Sequence, residues 1–205
     1  GYASSVSSIT VDGVKKTYRV APPEAIVADI SVMKKAPWEL IQAGFGDLLG
    51  KVTSIMDWKL SRIIFDEYYC DRVVNLVERE VKKIIKIGPD LNKRSSRSIE
   101  VLIRGLIGSG LAMLMIGSSR PASGSEHHIS HFLEMYGLLF DEKIPPHGIK
   151  VGIGTFFASS FYLNLVEFDF DDLSISNSKE ARVKQIKNNY KDRAQPVLNN
   201  IEERW

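Results

Sequence analysis

The sequence predicts a mainly α-helical protein in which a short β segment precedes the helices. Two β-rich runs flank an Asp12-Gly13 pair, and Asp-Gly between such runs is a strong hairpin signal. From Pro37 onward, the apolar residues recur with the helical period of about 3.6 residues instead. This change of period divides the chain into residues 1–36, which contain strands, and residues 37–205, which are helical.

The individual elements follow from runs of residues and from the residues that interrupt them. We expect strands at residues 6–11 and 15–20 and a third extended run at residues 25–29. Residues 66–87 place seven aliphatic side chains on one helical face, and Gly88-Pro89 ends that helix. Further helices are predicted at residues 98–117, 124–137, 146–167 and 179–193.

Composition indicates a folded protein and argues against several classes of function. The hydrophobic share is 44% and the charged share is 25%, as in folded proteins. A chain of 205 residues is long enough to bury a substantial core. A net charge of +2 gives no reason to expect nucleic-acid binding. No run of about eighteen uninterrupted apolar residues is present, and the N-terminal residues do not read as a secretory signal. With Cys70 as the single cysteine, we expect no internal disulfide and a cytoplasmic protein without a transmembrane segment.

Two of the four histidines, His127 and His147, lie in separate segments marked by glycine and proline. Metals of the zinc and iron class prefer imidazole nitrogen together with carboxylate oxygen, and a catalytic site leaves one position open. Asp47, between Gly46 and Gly50, is the carboxylate that would complete a set of three ligands. The residue types alone also allow a helix-capping aspartate and ordinary surface or core histidines.

Four segments together resemble one known family. These are GFGDLLGK at 44–51, DWKL at 57–60, GSSRPASGSEHHISH at 117–131 and HGIKVGIGT at 147–155. They are similar to the sn-glycerol-1-phosphate dehydrogenase family, within the iron-containing alcohol dehydrogenase and dehydroquinate synthase-like superfamily. The resemblance extends from Gly1 to about Phe168, and its motifs occur in the family's order.

The resemblance implies an N-terminal α/β domain that binds a dinucleotide and a C-terminal all-helical domain that carries a divalent metal. Residues 1–36 would be the end of the first domain, and residues 37–205 would form the helical metal- and substrate-binding domain. The implied reaction is the interconversion of sn-glycerol 1-phosphate and dihydroxyacetone phosphate with NAD(H) or NADP(H). Zinc, nickel and iron all suit the ligand set, and a homo-oligomer is expected.

The resemblance also implies roles for single residues. Asp47, His127 and His147 would bind the metal, and Asp47 would thereby take part in catalysis and in substrate binding. His131 lies four residues after His127 and so on the same helical face, whereas His128 is turned away. A histidine at the position of His131 contacts substrate in the family, so His131 would be both a substrate-binding and a catalytic residue that favours a phosphate or relays a proton. Ser4 would contact the cofactor, since Gly1-Tyr2-Ala3-Ser4 resembles the end of a family loop that lines the nicotinamide side.

Several alternatives remain open from the sequence. Arg120 either pairs with a substrate phosphate or supports a neighbouring helix, and the helix start near Ser123 offers amide groups to an anion. A glycerol or other polyol dehydrogenase would have a similar ligand set. The sequence has no glycine-rich turn placed to hold a pyrophosphate, because Gly108-Ser109-Gly110 falls inside an apolar helix. An isolated, non-catalytic helical metal-binding or assembly module is therefore the third interpretation.

Overall fold

The predicted mainly α fold is confirmed. In a computed structural model of the chain, residues 6–11, 14–166 and 178–202 are described, and within these ranges the strands form one two-stranded antiparallel sheet. All the other regular elements in these ranges are helical. Ser4 and the Asp12-Gly13 turn lie outside the described residues, so the predictions for them stay predictions.

Strands β1 (Val6–Val11) and β2 (Val14–Arg19) form the predicted hairpin. Their register pairs Val6 with Arg19 and Val11 with Val14. The hairpin contacts the helices through Thr10, whose hydroxyl donates to the Glu134 carboxylate over 2.8 Å. The β segment is thus tied to the helical part of the chain by a polar contact.

The expected third strand at residues 25–29 is not formed. Those residues are irregular, and Asp29 instead caps helix α1 (Ile30–Met33) by accepting from the amides of Ser31 and Val32. A carboxylate that binds the free amides of a first helical turn is a typical N-cap. The prediction was wrong because this apolar run, which follows Pro22-Pro23, has no partner strand among the described residues.

Helices α2 (Trp38–Leu49) and α3 (Lys51–Phe65) follow each other with a single residue, Gly50, between them. The chain turns there close to another helix, and a Cβ at Gly50 would lie 2.7 Å from Val151 Cγ1. Glycine therefore permits the close approach that places the end of α2 against the rest of the domain.

Helix α4 (Asp71–Ile87) starts five residues later than predicted, because Asp66 adopts a left-handed conformation that ends α3. Cys70 accordingly lies just before α4 and not inside a helix. Gly88-Pro89 does end α4, and the chain continues as a 3-10 helix over Gly88–Lys93.

The next four helices have the predicted order with shifted ends, and the last helix, at residues 194–202, was not predicted as a separate element. Helix α5 begins with a Ser95 cap and contains Gly108-Ser109-Gly110, as expected. Helix α6 runs three residues past the predicted end, to a left-handed Asp141. The bounds are α5 (Ser96–Ile116), α6 (Ser125–Phe140), α7 (His147–Val166), α8 (Lys179–Tyr190) and α9 (Ala194–Glu202), with a 3-10 turn at Lys191–Arg193 between the last two.

The hydrophobic core consists largely of aliphatic side chains from α4 and α5, and it has two main clusters. One cluster packs around the fully buried Trp58, whose indole N–H donates to the Tyr68 carbonyl over 2.8 Å. A second cluster contains buried residues of α2, α4, α5 and the 3-10 helix between them. Its members are Ile41, Leu48, Ile84, Leu91, Ile99 and Leu102.

Two helices, α5 and α7, are long and apolar enough to cross a membrane when judged by length and composition alone. Both are only partly buried, and α7 exposes Phe156, Phe157 and Phe161. Core helices of soluble proteins satisfy the same criterion, so this is weak evidence for a membrane span. The absence of a transmembrane segment stays a prediction.

Candidate metal centre

The structure brings Asp47, His127 and His147 together. Asp47 lies near the end of α2, His127 in the first turn of α6, and His147 is the first residue of α7. One potential ligand atom from each lies within 4.8 Å of the other two. The Nε2 atoms of His127 and His147 are 3.5 Å and 3.6 Å from Asp47 Oδ1. Three predicted ligands that are far apart in the sequence therefore face one small volume.

Glycines allow the helices to come close enough for this convergence. A Cβ on Gly148 would lie 1.8 Å from the Ala43 carbonyl oxygen, and one on Gly46 would lie 2.3 Å from the Gly148 oxygen. These contacts are with backbone atoms, which cannot turn aside as a flexible side chain can. The close crossing of α2 and α7 thus requires glycine next to both Asp47 and His147.

A buried lysine lies on the other side of Asp47. Lys51 Nζ is 3.2 Å from Asp47 Oδ2 and donates to the Ala122 carbonyl over 2.9 Å, so this side chain does not extend to solvent. Burial raises the pKa of Asp47, but the charge of Lys51 and the contacts with the two histidines outweigh it, and the net pKa is lowered. Asp47 is therefore a carboxylate at neutral pH.

His147 is the most exposed of the three residues, with 48% of its side chain accessible. Burial lowers its pKa, the charge of Asp47 opposes that effect, and the result is a pKa of about 4. A neutral imidazole has a free nitrogen lone pair, which a metal requires. His147 is consequently in the metal-binding protonation state at neutral pH.

His131 lies next to His127, one member of this group, and also 6.5 Å from the ring of His128. The His131 ring centre is 6.5 Å from that of His127, in an edge-on arrangement. His128 is exposed. The helical spacing thus places His131 beside His127, and its chemical role stays a prediction.

Arg120 does not offer a free guanidinium to a phosphate. It makes two contacts of 2.6 Å with the Glu67 carboxylate, which also accepts from the Ser61 hydroxyl. The first amides of α6 are likewise occupied, because Gly124 N donates to Glu126 and Ser125 N to Asp57. Of the two interpretations of Arg120, its contacts favour support of a neighbouring segment.

Glu126 is a residue of this site that sequence reasoning missed. Its carboxylate is fully buried, and its Oε1 is 2.7 Å from His127 Nδ1. The signal was available, since an acidic residue directly precedes the first histidine of the motif. Adjacency alone did not identify its role, because the role depends on the contact between its carboxylate and the His127 ring.

The donor set suits a divalent metal. One carboxylate oxygen and two imidazole nitrogens match the mixed oxygen and nitrogen preference of zinc and iron, and three ligands leave a coordination position for substrate. The partly exposed His147 marks the side on which a small molecule can reach the site. The described residues therefore provide both the ligands and an accessible side.

The N-terminal residues are similar to a known family. Residues 1–37 match the family described as iron-containing alcohol dehydrogenase.

The comparisons also identify individual relatives, all named glycerol-1-phosphate dehydrogenase [NAD(P)+]. The protein of Halalkalibacterium halodurans is 39% identical, over 80% of this chain and 41% of the relative. That of Bacillus subtilis is 39% identical over 82% of this chain and 43% of its own length, and that of Thermococcus kodakarensis is 38% identical over 76% and 43%. These matches confirm the resemblance inferred from the motifs. The chain spans about two fifths of the length of these relatives.

Proposed function

We propose that Asp47, His127 and His147 hold one divalent metal ion. The convergence of three ligand atoms within 4.8 Å supports this proposal most strongly. The lowered pKa values of Asp47 and His147 add to it, because both residues would be deprotonated and ready to coordinate at neutral pH. The candidate ions are zinc, nickel and iron.

We further propose that the chain is part of a metal- and NAD(P)-dependent dehydrogenase that interconverts sn-glycerol 1-phosphate and dihydroxyacetone phosphate. Its similarity to relatives with that name, at 37–39% identity over about four fifths of the chain, supports this proposal. Residues 37–205 would be the metal- and substrate-binding domain. Residues 1–36 would be the end of the dinucleotide-binding domain, with Ser4 as a cofactor contact.

The chemistry expected at this site is the reduction of a ketone or the oxidation of a secondary alcohol. A bound divalent metal supplies Lewis acidity at the substrate oxygen, and the nicotinamide supplies or accepts the hydride. The carboxylate of Asp47 would partly neutralise the charge of the metal. The imidazoles of His127 and His147 carry no charge when they coordinate, so the metal would remain electrophilic. These three residues would hold the metal in a fixed position, and His131 would contact the substrate beside it.

The substrate phosphate is proposed to bind away from Arg120, because that guanidinium is already paired with Glu67. His131 is the better placed group, since it lies beside His127 and carries a positive charge when protonated. A glycerol or polyol dehydrogenase would need no such anion contact. Discrimination between phosphorylated and unphosphorylated substrates therefore separates the two enzyme proposals.

The test compares the complete protein with its His147→Ala variant. We expect about one metal ion per chain in the wild type, NAD(P)H-dependent reduction of dihydroxyacetone phosphate, and at least tenfold lower activity with dihydroxyacetone. His147→Ala should lose both the metal and the activity. A preference for the unphosphorylated substrate would favour the polyol dehydrogenase, and metal binding without any reduction would favour the non-catalytic module.

A further inference from the structure

The buried carboxylate of Glu126 lies directly behind His127, on the opposite side of the ring from Asp47. Glu126 Oε1 is 2.7 Å from His127 Nδ1, while His127 Nε2 is 3.5 Å from Asp47 Oδ1. A carboxylate only accepts hydrogen bonds, and a neutral imidazole has one N–H. In the neutral ring, which is the form that can bind a metal, the Glu126 contact therefore requires the proton on Nδ1 and leaves the Nε2 lone pair facing Asp47.

This arrangement places two electron-pair donors, His127 Nε2 and Asp47 Oδ1, opposite each other. No hydrogen bond can join them while the ring is neutral with its proton on Nδ1. A cation between them satisfies both, and His147 Nε2, 3.6 Å from the same oxygen, is directed at the same place. The orientation of the His127 ring is thus the one that a metal requires.

Glu126 is itself held in place on several sides. Its Oε2 contacts the buried Thr53 hydroxyl at 2.7 Å, and its Oε1 accepts from Gly124 N at 2.8 Å. A Cβ at Gly154 would lie 2.3 Å from the Glu126 carbonyl oxygen, so α7 packs closely against the Glu126 backbone. Both the backbone and the carboxylate are therefore fixed relative to His127.

We propose that Glu126 is a positioning residue for the metal centre: it fixes His127 as the Nδ1–H tautomer and directs Nε2 at the ion. The inference rests on the proposed metal-binding function of Asp47, His127 and His147. Glu126 would not touch the ion or the substrate. Hydrogen bonds to the second nitrogen of a ligating histidine typically change metal affinity about 10–100-fold.

The test measures zinc affinity by chelator competition in the full chain and in Glu126→Gln. An amide of the same shape keeps the packing but is a weaker acceptor for the Nδ1 proton. We expect zinc to bind about 10–100-fold more weakly to the variant. Glu134→Gln is the matched control, because Glu134 also lies on α6 and pairs with the buried Lys150 over 2.7 Å, away from His127. Its zinc affinity should stay within about twofold of the wild type.

A second measurement separates positioning from a merely structural role. In zinc-loaded protein with nitrogen-15-labelled histidine, His127 should show a protected Nδ1 proton far downfield, where a carboxylate hydrogen bond places it. In Glu126→Gln this signal should move upfield and exchange faster with water. A residue that only caps α6 would change the thermal stability and leave both this signal and the zinc affinity unchanged.

The possible results distinguish this proposal from the one on which it rests. Wild-type zinc affinity and an unchanged Nδ1 signal in Glu126→Gln would overturn the positioning role. Failure of the wild type itself to bind zinc would overturn the metal centre instead. If Glu126→Gln does not fold, Thr53→Val decides, because it replaces with a methyl group the hydroxyl that contacts Glu126 Oε2 and the Gly50 carbonyl. A several-fold loss of zinc affinity in Thr53→Val supports the proposal, and no loss contradicts it.

Discussion

Helices α4 and α7 pack against the rest of the molecule in two different ways. Helix α4 buries an aliphatic stripe, made of Val73, Val74, Val77, Val81 and Ile84. The buried residues of α7 are mostly small or charged, namely Gly148, Lys150, Val151, Gly154 and Ala158. The first kind of contact removes apolar surface from water, and the second brings backbones close together around polar groups.

The difference indicates a division of tasks. Aliphatic packing at α4 contributes stability but places no ligand. Close backbone contacts at α7 contribute little apolar burial, yet they determine how far His147 lies from Asp47 and His127. Substitutions in the two regions should consequently separate stability from metal binding.

The largest loss of stability is expected in the α4 region. Ile84 is fully buried, so Ile84→Ala should lower the free energy of unfolding by about 2–5 kcal/mol through lost burial and a residual cavity. Its neighbour Ile85 is 52% exposed, and Ile85→Ala should change stability by about 0.5 kcal/mol or less. Urea denaturation measures both. If the folded Ile84→Ala protein bound zinc tenfold more weakly, the two regions would not be independent.

The complementary change is Gly148→Ala in α7. Its new methyl group would meet the Ala43 carbonyl at 1.8 Å, so α7 must move and carry His147 with it. We expect a stability loss of about 1–3 kcal/mol together with weaker zinc binding. Gly152→Ala is the control within the same helix, since its Cβ would lie 3.4 Å from the nearest atom, an ordinary contact. Equal zinc affinities in both variants would show that the close crossing does not set the ligand spacing.

A smaller effect is expected from His131→Ala in the complete protein. It should reduce kcat/KM for dihydroxyacetone phosphate about tenfold, or about 1.4 kcal/mol, with metal content near that of the wild type. His128→Ala changes an exposed histidine of the same helix and should leave both quantities unchanged. Loss of metal from His131→Ala would assign His131 to the metal centre instead of the substrate.

The smallest effect concerns the ion pair between Glu67 and Arg120. Burial raises the pKa of Glu67, but the hydrogen bonds from Ser61 and Arg120 and the charge of Arg120 outweigh it, and the net pKa is lowered. Stabilisation from the pair is therefore complete above the ordinary glutamate pKa and is lost as the pH falls through the lowered value. Glu67→Gln should lose at most about 1 kcal/mol at pH 7. Denaturation curves that still differ at pH 2 would contradict this explanation.

The sequence predicted those features that depend on local pattern. The aliphatic stripe of α4, the antiparallel pairing of β1 with β2 and the glycine-proline end of α4 each follow from neighbouring residues. The start of α4 was misplaced because Asp66 adopts a left-handed conformation that ends the preceding helix, which a periodic pattern does not show. The run at residues 25–29 was misread because a strand needs a partner that the run itself does not specify.

The candidate metal centre was predictable only in its ligands. Asp47, His127 and His147 were found from residue type and from the family motifs. The position of Glu126 directly before His127 was visible in the sequence, but the contacts of Lys51 and Glu126 depend on which side chains the fold places against them. Glu126 contacts Thr53, more than seventy positions earlier in the chain, and such pairings follow from helix packing and not from local pattern.

The metal centre itself is tested most directly by anomalous X-ray diffraction from crystals grown with zinc. We expect one anomalous peak with Asp47 carboxylate oxygen and the Nε2 atoms of His127 and His147 at about 2.0–2.3 Å. A peak bound by other residues, or no peak at saturating zinc while these three side chains point apart, would contradict the proposed metal centre.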